Sequence, residues 1–298
     1  MTPTVAPLRR TYGDGHPFDR IHYLECKVIL KPERLSSVRS FHEFGALVRE
    51  TAGALSLGYF DEGVAERRPR IREVLFFDTA GFSFYQNAFI LRRRIPYQDG
   101  FPAREPEIVF KFRHPKLRKA AAVDVRPHIP GRYQIKFKSE ALPLRDRIGG
   151  FRRLFSHNVE FKCSAAADED RVSMMQLARV FPPLAALLPA GADDLVPVNQ
   201  AIVEEVLQDL GRLDFGPGVT AASNVALWRQ RGDHMPLVGE FAFQCSFRRG
   251  DAFHNKAMRL CEEFFLSLQE TAKEWLLLGA TKTGIIYGLG GSPPPSHE

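Results

Sequence analysis

The chain has 298 residues, with 41 Lys and Arg against 35 Asp and Glu, a formal charge of +6 and a pI near 9.2. At 44% hydrophobic, 11% aromatic and 26% charged it has the composition of a globular protein with a full core, which excludes a disordered, fibrous or tail-dominated basic chain. The excess of base is too small to demand nucleic acid, but it makes an anionic partner worth seeking.

Residues 1–19, rich in Pro, Gly and Thr, read as a disordered or extended arm. IHYLECKVIL then alternates as a strand, with Leu24, Cys26, Val28 and Leu30 on one face and Tyr23, Glu25 and Lys27 on the other. Helical spacing follows Pro32 over about 34–53, through Leu35, Val38, Leu47 and Val48. REVLFFD is a strand ending in a turn that Asp78 is expected to tie, and AFILRRRI places Arg92 and Arg94 on one face. In EIVFKFR, Ile108, Phe110 and Phe112 oppose Glu107, Lys111 and Arg113. AVDVR reads as a strand carrying Asp124 and Arg126. YQIKFKSE sets Tyr133, Ile135 and Phe137 against Lys136, Lys138 and Glu140, and HNVEFKC sets Val159, Phe161 and Cys163 against Glu160 and Lys162.

A helix over about 171–181 ends at Pro182-Pro183. Another is expected from Asn199, as N-cap, through Ile202, Val206 and Leu210 to Gly211. NVALWRQR then puts Arg229 and Arg231 on one face, and GEFAFQCSF sets Phe241, Phe243, Cys245 and Phe247 against Glu240 and Gln244. The longest helix is expected after Asp251, through Phe253, Phe264, Leu268 and Trp275 to Gly279. No linker divides the chain, so 20–285 reads as a single domain and 286–298 as a flexible tail. With about eight or nine strands, the fold class is α+β, antiparallel and largely barrel-like.

Four scattered cysteines, Cys26, Cys163, Cys245 and Cys261, give neither a zinc spacing nor a disulfide scaffold. With no apolar leader and no membrane-length apolar run, the expectation is a cytoplasmic protein without a membrane partner. GATKTGII at 279–286 lacks the Lys and Ser/Thr of a P-loop, and its Lys282 reads as a solvated side chain in preference to one that reaches the mouth of a barrel.

The informative pattern is which face carries charge. A half-exposed strand usually shows water a mixed polar face. Here that face is repeatedly ionisable and mostly basic. If the strands close with their apolar faces under helices, the polar faces line a tunnel. It would hold Lys27, Arg92, Arg94, Lys111, Arg113, Lys136, Lys138, Lys162, Arg229 and Arg231, interrupted by Glu25, Glu107, Glu160 and Glu240. Confined like charges are costly unless an anion sits among them, and phosphate oxygens suit Arg forks and Lys point charges. The sparse carboxylates suit a hard divalent ion bridging protein and phosphates. No Phe or Tyr interleaves the basic residues, so stacking of single-stranded bases is not indicated and nucleic acid is not the expected partner.

YLECK at 23–27 resembles a degenerate form of the Glu-x-Glu-x-Lys signature that opens the CYTH, or triphosphate tunnel metalloenzyme, superfamily. VLFFDTAGFSFYQNAFILRRR at 74–94 resembles its Tyr-Phe-Asp-Thr-Pro…Leu-Arg-x-Arg hairpin, EIVFKFR its next basic strand, and VALWRQRGDHMPLVGEFAFQ its late Arg and Glu strands. The likeness runs in order over about 20–285. It implies an eight-stranded antiparallel β-barrel tunnel, and divalent-metal-dependent hydrolysis of inorganic triphosphate or a small organic triphosphate. It further implies Mg²⁺ or Mn²⁺ on Glu25, with Glu240 and Glu160, and phosphate on Lys27, Arg92, Arg94, Lys111 and Arg229; Arg113, Lys136, Lys138, Lys162 and Arg231 join the expected phosphate set from the strand faces alone. Lys27 and Glu25 would serve the chemistry. Tyr23 and Ala242 stand where that family often has acids. The alternative implied is a catalytically weakened module that binds phosphate, polyphosphate or a nucleotide.

Overall fold

The computed structural model describes residues 20–64, 66–103, 105–163, 173–187, 194–216, 218–246, 255–292 and 295. The expected arm at 1–19, the N-cap at Asp251 and most of the tail beyond 292 lie outside the described residues.

Among the described residues twelve strands form: β1 (Tyr23–Leu30), β2 (Gly58–Phe60), β3 (Arg70–Asp78), β4 (Phe89–Gln98), β5 (Phe101–Pro102), β6 (Glu107–His114), β7 (Tyr133–Pro143), β8 (Phe151–Lys162), β9 (Val196–Pro197), β10 (Val203–Asp214), β11 (Thr220–Gln230) and β12 (Pro236–Ser246). Nine of them close a barrel in the order β10-β11-β12-β1-β7-β8-β6-β4-β3, with β3 pairing back onto β10. The fold is α+β with helices outside the barrel, but the ring has nine strands rather than the expected eight, and it is not wholly antiparallel. β1 runs parallel to β7, from Tyr23↔Lys138 to Cys26↔Ala141. A closed ring of odd number cannot alternate direction all the way round, so at least one neighbouring pair must run parallel.

The helices among the described residues are α1 (Val38–Ala54), α2 (Ser83–Gln86), α3 (Leu117–Ala121), α4 (Met174–Val180), α5 (Asn255–Thr271) and α6 (Lys282–Gly288); α1, α3, α4 and α5 cover outer faces of the barrel, whereas α6 packs on its inward side chains. α1 starts at Ser37, whose side chain forms a capping box with Ser40, while Pro32 begins a separate 3₁₀ turn. Phe44 of α1 and Phe264 and Leu268 of α5 pack on Val28, Val225, Phe241 and Phe243. α3 and α4 cover Phe110, Phe137 and Val159 in a second layer with Phe181. Each fully buried Phe in these layers stabilises the fold by roughly 1.5–3 kcal/mol relative to exposure. Cys26, Cys245 and Cys261 are buried in the first layer as free thiols.

Several expectations are corrected. The helix expected over 199–211 is strand β10. Asn199 has a left-handed backbone (φ 53°), and its side chain donates to the carbonyls of Ile286 and Tyr287 in α6 instead of capping a helix. The i, i+4 spacing of Ile202, Val206 and Leu210 imitates a helix because four residues is also two full periods of a strand's pleat, so the same residues can share one face of either element. A bulge at Asp209/Gly211 shifts the strand's register. AVDVR is not a strand; it follows α3 as a loop in which Arg126 grips Asp124. α5 stops at Thr271, and a 3₁₀ turn at Lys273–Trp275 leads away before Gly279. α6 runs past the expected tail boundary at 286, with Ile286 and Tyr287 buried. No helix among the described residues is long and apolar enough to cross a membrane.

Candidate functional site

Strand pleating sends alternate residues into the barrel. At one end the inward side chains are apolar: Ile29, Phe76, Ile90, Trp228 and Val238 pack with Ile286 and Tyr287 of α6 into a third cluster. α6 is anchored by buried Asp78, whose carboxylate accepts from the Tyr287 hydroxyl at 2.9 Å and from the backbone N–H groups of Thr79, Phe84 and Tyr85. Asp78 thus ties its turn, as expected, and also ties the C-terminal helix to it. Burial raises its pKa against the pull of those donors.

Above this floor lies a cavity of about 320 Å³. Its lining carries nine cations, Lys27, Arg72, Arg92, Arg94, Lys111, Arg113, Lys136, Lys138 and Lys282, against four acids, Glu25, Glu160, Glu205 and Glu240. Fully buried Glu140 stands behind them. With it, the balance is 9 − 5 = +4.

Glu140 organises the cations. Its carboxylate lies 2.6 Å from Lys111 Nζ, 3.1 Å from Lys27 Nζ and 3.5 Å from Arg113 Nη1, and accepts from Ser156. Burial opposes its charge, but Lys111, Lys27 and Arg113 hold it well below the usual carboxylate range. Glu25, its cross-strand neighbour, contacts Lys27 at 2.7 Å and Lys138 at 3.1 Å. Burial raises the Glu25 carboxyl, but Lys138 and Lys27 overcome it and bring it to about 2. Burial lowers Lys27 as well, yet Glu140, Glu25 and Glu240 more than offset this and raise it.

Near the apolar floor, Glu205 accepts from Arg72 and from Trp228 Nε1 at 2.7 Å, and lies 3.4 Å from Lys282. Lys282 also pairs with Glu240 at 2.7 Å and lies 4.5 Å from the Trp228 ring centre. Burial works against Glu205, but Arg72 and Lys282 keep it strongly depressed. Arg92 differs from every other cation in the lining. Among the described residues it has no carboxylate partner: Nη2 donates to Thr283 Oγ1 at 3.1 Å, Nε is buried without a partner, and the guanidinium lies 4.6 Å from the Phe76 ring centre. Burial, with Arg94 and Arg113 beside it, lowers this guanidinium to about 9.

The structure therefore brings Lys27, Arg92, Arg94, Lys111, Arg113, Lys136 and Lys138 into one cavity with Glu25, Glu160 and Glu240. Three expected cations lie elsewhere. Arg229 pairs with Glu204 and Arg231 with Glu73, on the outer faces of β10 and β3, because Trp228 takes the inward position on β11 and a bulge follows it. Lys162 shares the inward parity of Glu160 but is exposed at the strand's end, beyond the lining. Glu107 meets Arg94 at the rim, at 3.0 Å. Four participants stand outside the expected site set: Glu140, which the sequence places on the charged face of its strand but not in the site, Arg72, Glu205 and Lys282, which reads from sequence as a solvated side chain. Glu140 and Arg72 carry the right alternation. Glu205 was hidden by the helical reading, and Lys282 by its place in a short terminal helix.

A divalent ion held by the chain alone does not fit this donor set. No three Asp, Glu, His or Cys side chains converge as ligands among the described residues. Glu25 is held by two lysines, Glu160 by Lys136, and Glu240 by Lys282. Tyr23 and Ala242 add no carboxylate. Ala242 lies directly opposite Lys27 across β1–β12, and Tyr23 places its ring centre 6.0 Å from Lys138 Nζ.

No family model matches the sequence, and no curated protein matches it. Among solved structures, the chain is similar to a Hippeastrum protein described as an adenylyl cyclase candidate with a dominant triphosphatase activity, at 12% identity over 92% of this chain and 98% of that one, with a TM-score of 0.40. It is similar also to a candidate adenylate cyclase from Bacillus halodurans (12% identity, 88% and 95% covered, TM-score 0.37) and to a Pyrococcus horikoshii protein (12%, 88% and 96%, 0.36). These likenesses are distant, and the architecture described above rests on the chain's own strand pairing.

Proposed function

We propose that the barrel is a triphosphate tunnel: it binds the phosphate chain of inorganic triphosphate or of a small organic triphosphate. One observation carries this reading, the excess of cations around an enclosed cavity in which Arg92 has no acid of its own. An anion with several phosphoryl groups matches both the charge and the forked geometry of Arg92, Arg94 and Arg113. A cavity near 320 Å³ falls at the small end of ligand sites. The sequence resemblance to the CYTH superfamily points the same way. The proposed phosphate contacts are Arg92, Arg94, Lys111, Arg113, Lys136 and Lys138, with Lys27 and Lys282 behind them. Calorimetry with inorganic triphosphate tests this directly: one site of micromolar or better affinity is expected, and no heat of binding would sink the reading.

Hydrolysis is the second reading, favoured by Glu160. One of its oxygens holds Lys136, whereas the other lies 4.0 Å from Arg94. Mg²⁺ or Mn²⁺ needs only one or two carboxylates when it arrives on phosphate oxygens and keeps its waters. Phosphate release from triphosphate, ATP and thiamine triphosphate, with and without either ion, decides between a hydrolase and a binding module.

A further inference from the structure

We propose that Lys27 is a tethered counter-ion seated on the Glu25–Glu140 pair, so that the tunnel holds its anion without a resident divalent ion. Glu25 is in register with Glu140 across the parallel β1–β7 junction and with Gln244 across β12. Two carboxylates and an amide oxygen on one wall are the oxygen set that a hard cation would take.

Every oxygen of that set already has a donor. Lys27 Nζ bridges the two acids, 2.7 Å from Glu25 Oε2 and 3.1 Å from Glu140 Oε2. Lys138 takes Glu25 Oε1 at 3.1 Å and Gln244 Oε1 at 2.7 Å. Lys111 takes Glu140 Oε1 at 2.6 Å.

Charge reinforces the seating. Lys27, Lys138, Lys111 and Arg113 surround the two acids, so the formal charge of the cluster is 4 − 2 = +2; burial lowers the Lys111 pKa, but without its charge the sum is still 3 − 2 = +1. A dication entering there meets net repulsion and must also expel an ammonium only 13% exposed, leaving it buried without its partners. An anion meets the opposite field. Ala242, opposite Lys27, places no acid at that position of β12, and Glu240, two residues away on the same strand, is held by Lys282.

The anion half of this inference rests on the proposed triphosphate reading; the metal half does not. The full chain is titrated with Mn²⁺ and the free ion followed by electron paramagnetic resonance. The wild type is expected to take up no Mn²⁺ up to millimolar concentration. Lys27→Ala is expected to gain one site at least tenfold tighter, lost again in Lys27→Ala/Glu25→Gln. Lys27→Met, closer in shape, serves if the alanine variant misfolds. Stoichiometric Mn²⁺ on the wild type that Glu25→Gln weakens would overturn the inference, as would folded Lys27 variants that gain no site. Triphosphate binding is measured in parallel with EDTA and with Mn²⁺. Binding in EDTA supports the inference, and binding only with Mn²⁺ overturns it. Binding in neither buffer removes the triphosphate reading and leaves the Mn²⁺ result to judge Lys27.

Discussion

Arg92 sits where stability and binding oppose one another. Its pKa is lowered to about 9 from 12.5, so below pH 9 it is charged in both folded and unfolded chains and the folded state bears the full burden of its burial. That burden is relieved only above pH 9. Replacing Arg92 with Met should therefore raise the melting temperature by a few degrees at neutral pH, read by scanning calorimetry. The same variant should weaken triphosphate binding at least ~10-fold, about 1.4 kcal/mol, as one charge-assisted contact is lost. Glu25 works in the opposite sense. Its pKa is lowered from 4.5 to about 2, so its contribution is complete above pH 4.5 and disappears as pH falls through 2. It amounts to on the order of 3 kcal/mol. Urea midpoints followed from pH 5 to pH 2 should fall steeply in the wild type and more shallowly in Glu25→Gln. Most of this cavity was legible in the sequence, because alternation alone assigns Lys27, Lys111 and Lys138 to one face. The pairing of individual charges was not, since Glu140 acquires its role from Lys27 on β1 and Lys111 on β6, far away in sequence.

At the scale of elements, β10 is where local pattern and tertiary structure part. Its apolar residues recur at helical intervals, and only pairing with β3 and β11 on either side makes it a strand. Gly211 carries the device that permits this. Its φ is +106°, and a Cβ there would lie 2.4 Å from the carbonyl oxygen of Phe60. Gly211→Ala should destabilise the fold by ~2 kcal/mol or more, measured by chemical denaturation, because strain and a backbone clash act together. β10 also delivers Glu205, so loosening the bulge should release Arg72 and Lys282 and weaken triphosphate binding in the same variant. α6 was obscured for a related reason. Seven residues show little periodicity, and the helix is held by Asp78 and Asn199 rather than by its own amphipathicity.

At the scale of the whole molecule, the barrel decides where charge meets solvent. A basic outer surface binding RNA would lose ~10³–10⁵ in affinity between 50 and 200 mM salt if it met six to ten phosphates. Cations inside a walled cavity are screened far less. Triphosphate affinity over that salt range is expected to fall by less than ~10-fold, which titration calorimetry at stepped NaCl measures. The number of strands follows from geometry that no local pattern carries, since β3–β10 closure joins segments read as strand and helix. The position of β1 governs how the chain must fold. It pairs Leu24 with Cys245 on one side and Ser139 on the other, so the first strand made waits for the last. Until β12 emerges, β1 has an open edge and the ring cannot shut. Such long-range closure makes for slow folding and leaves an adhesive intermediate during synthesis, so production should favour low temperature and chaperones that shield one unpaired edge.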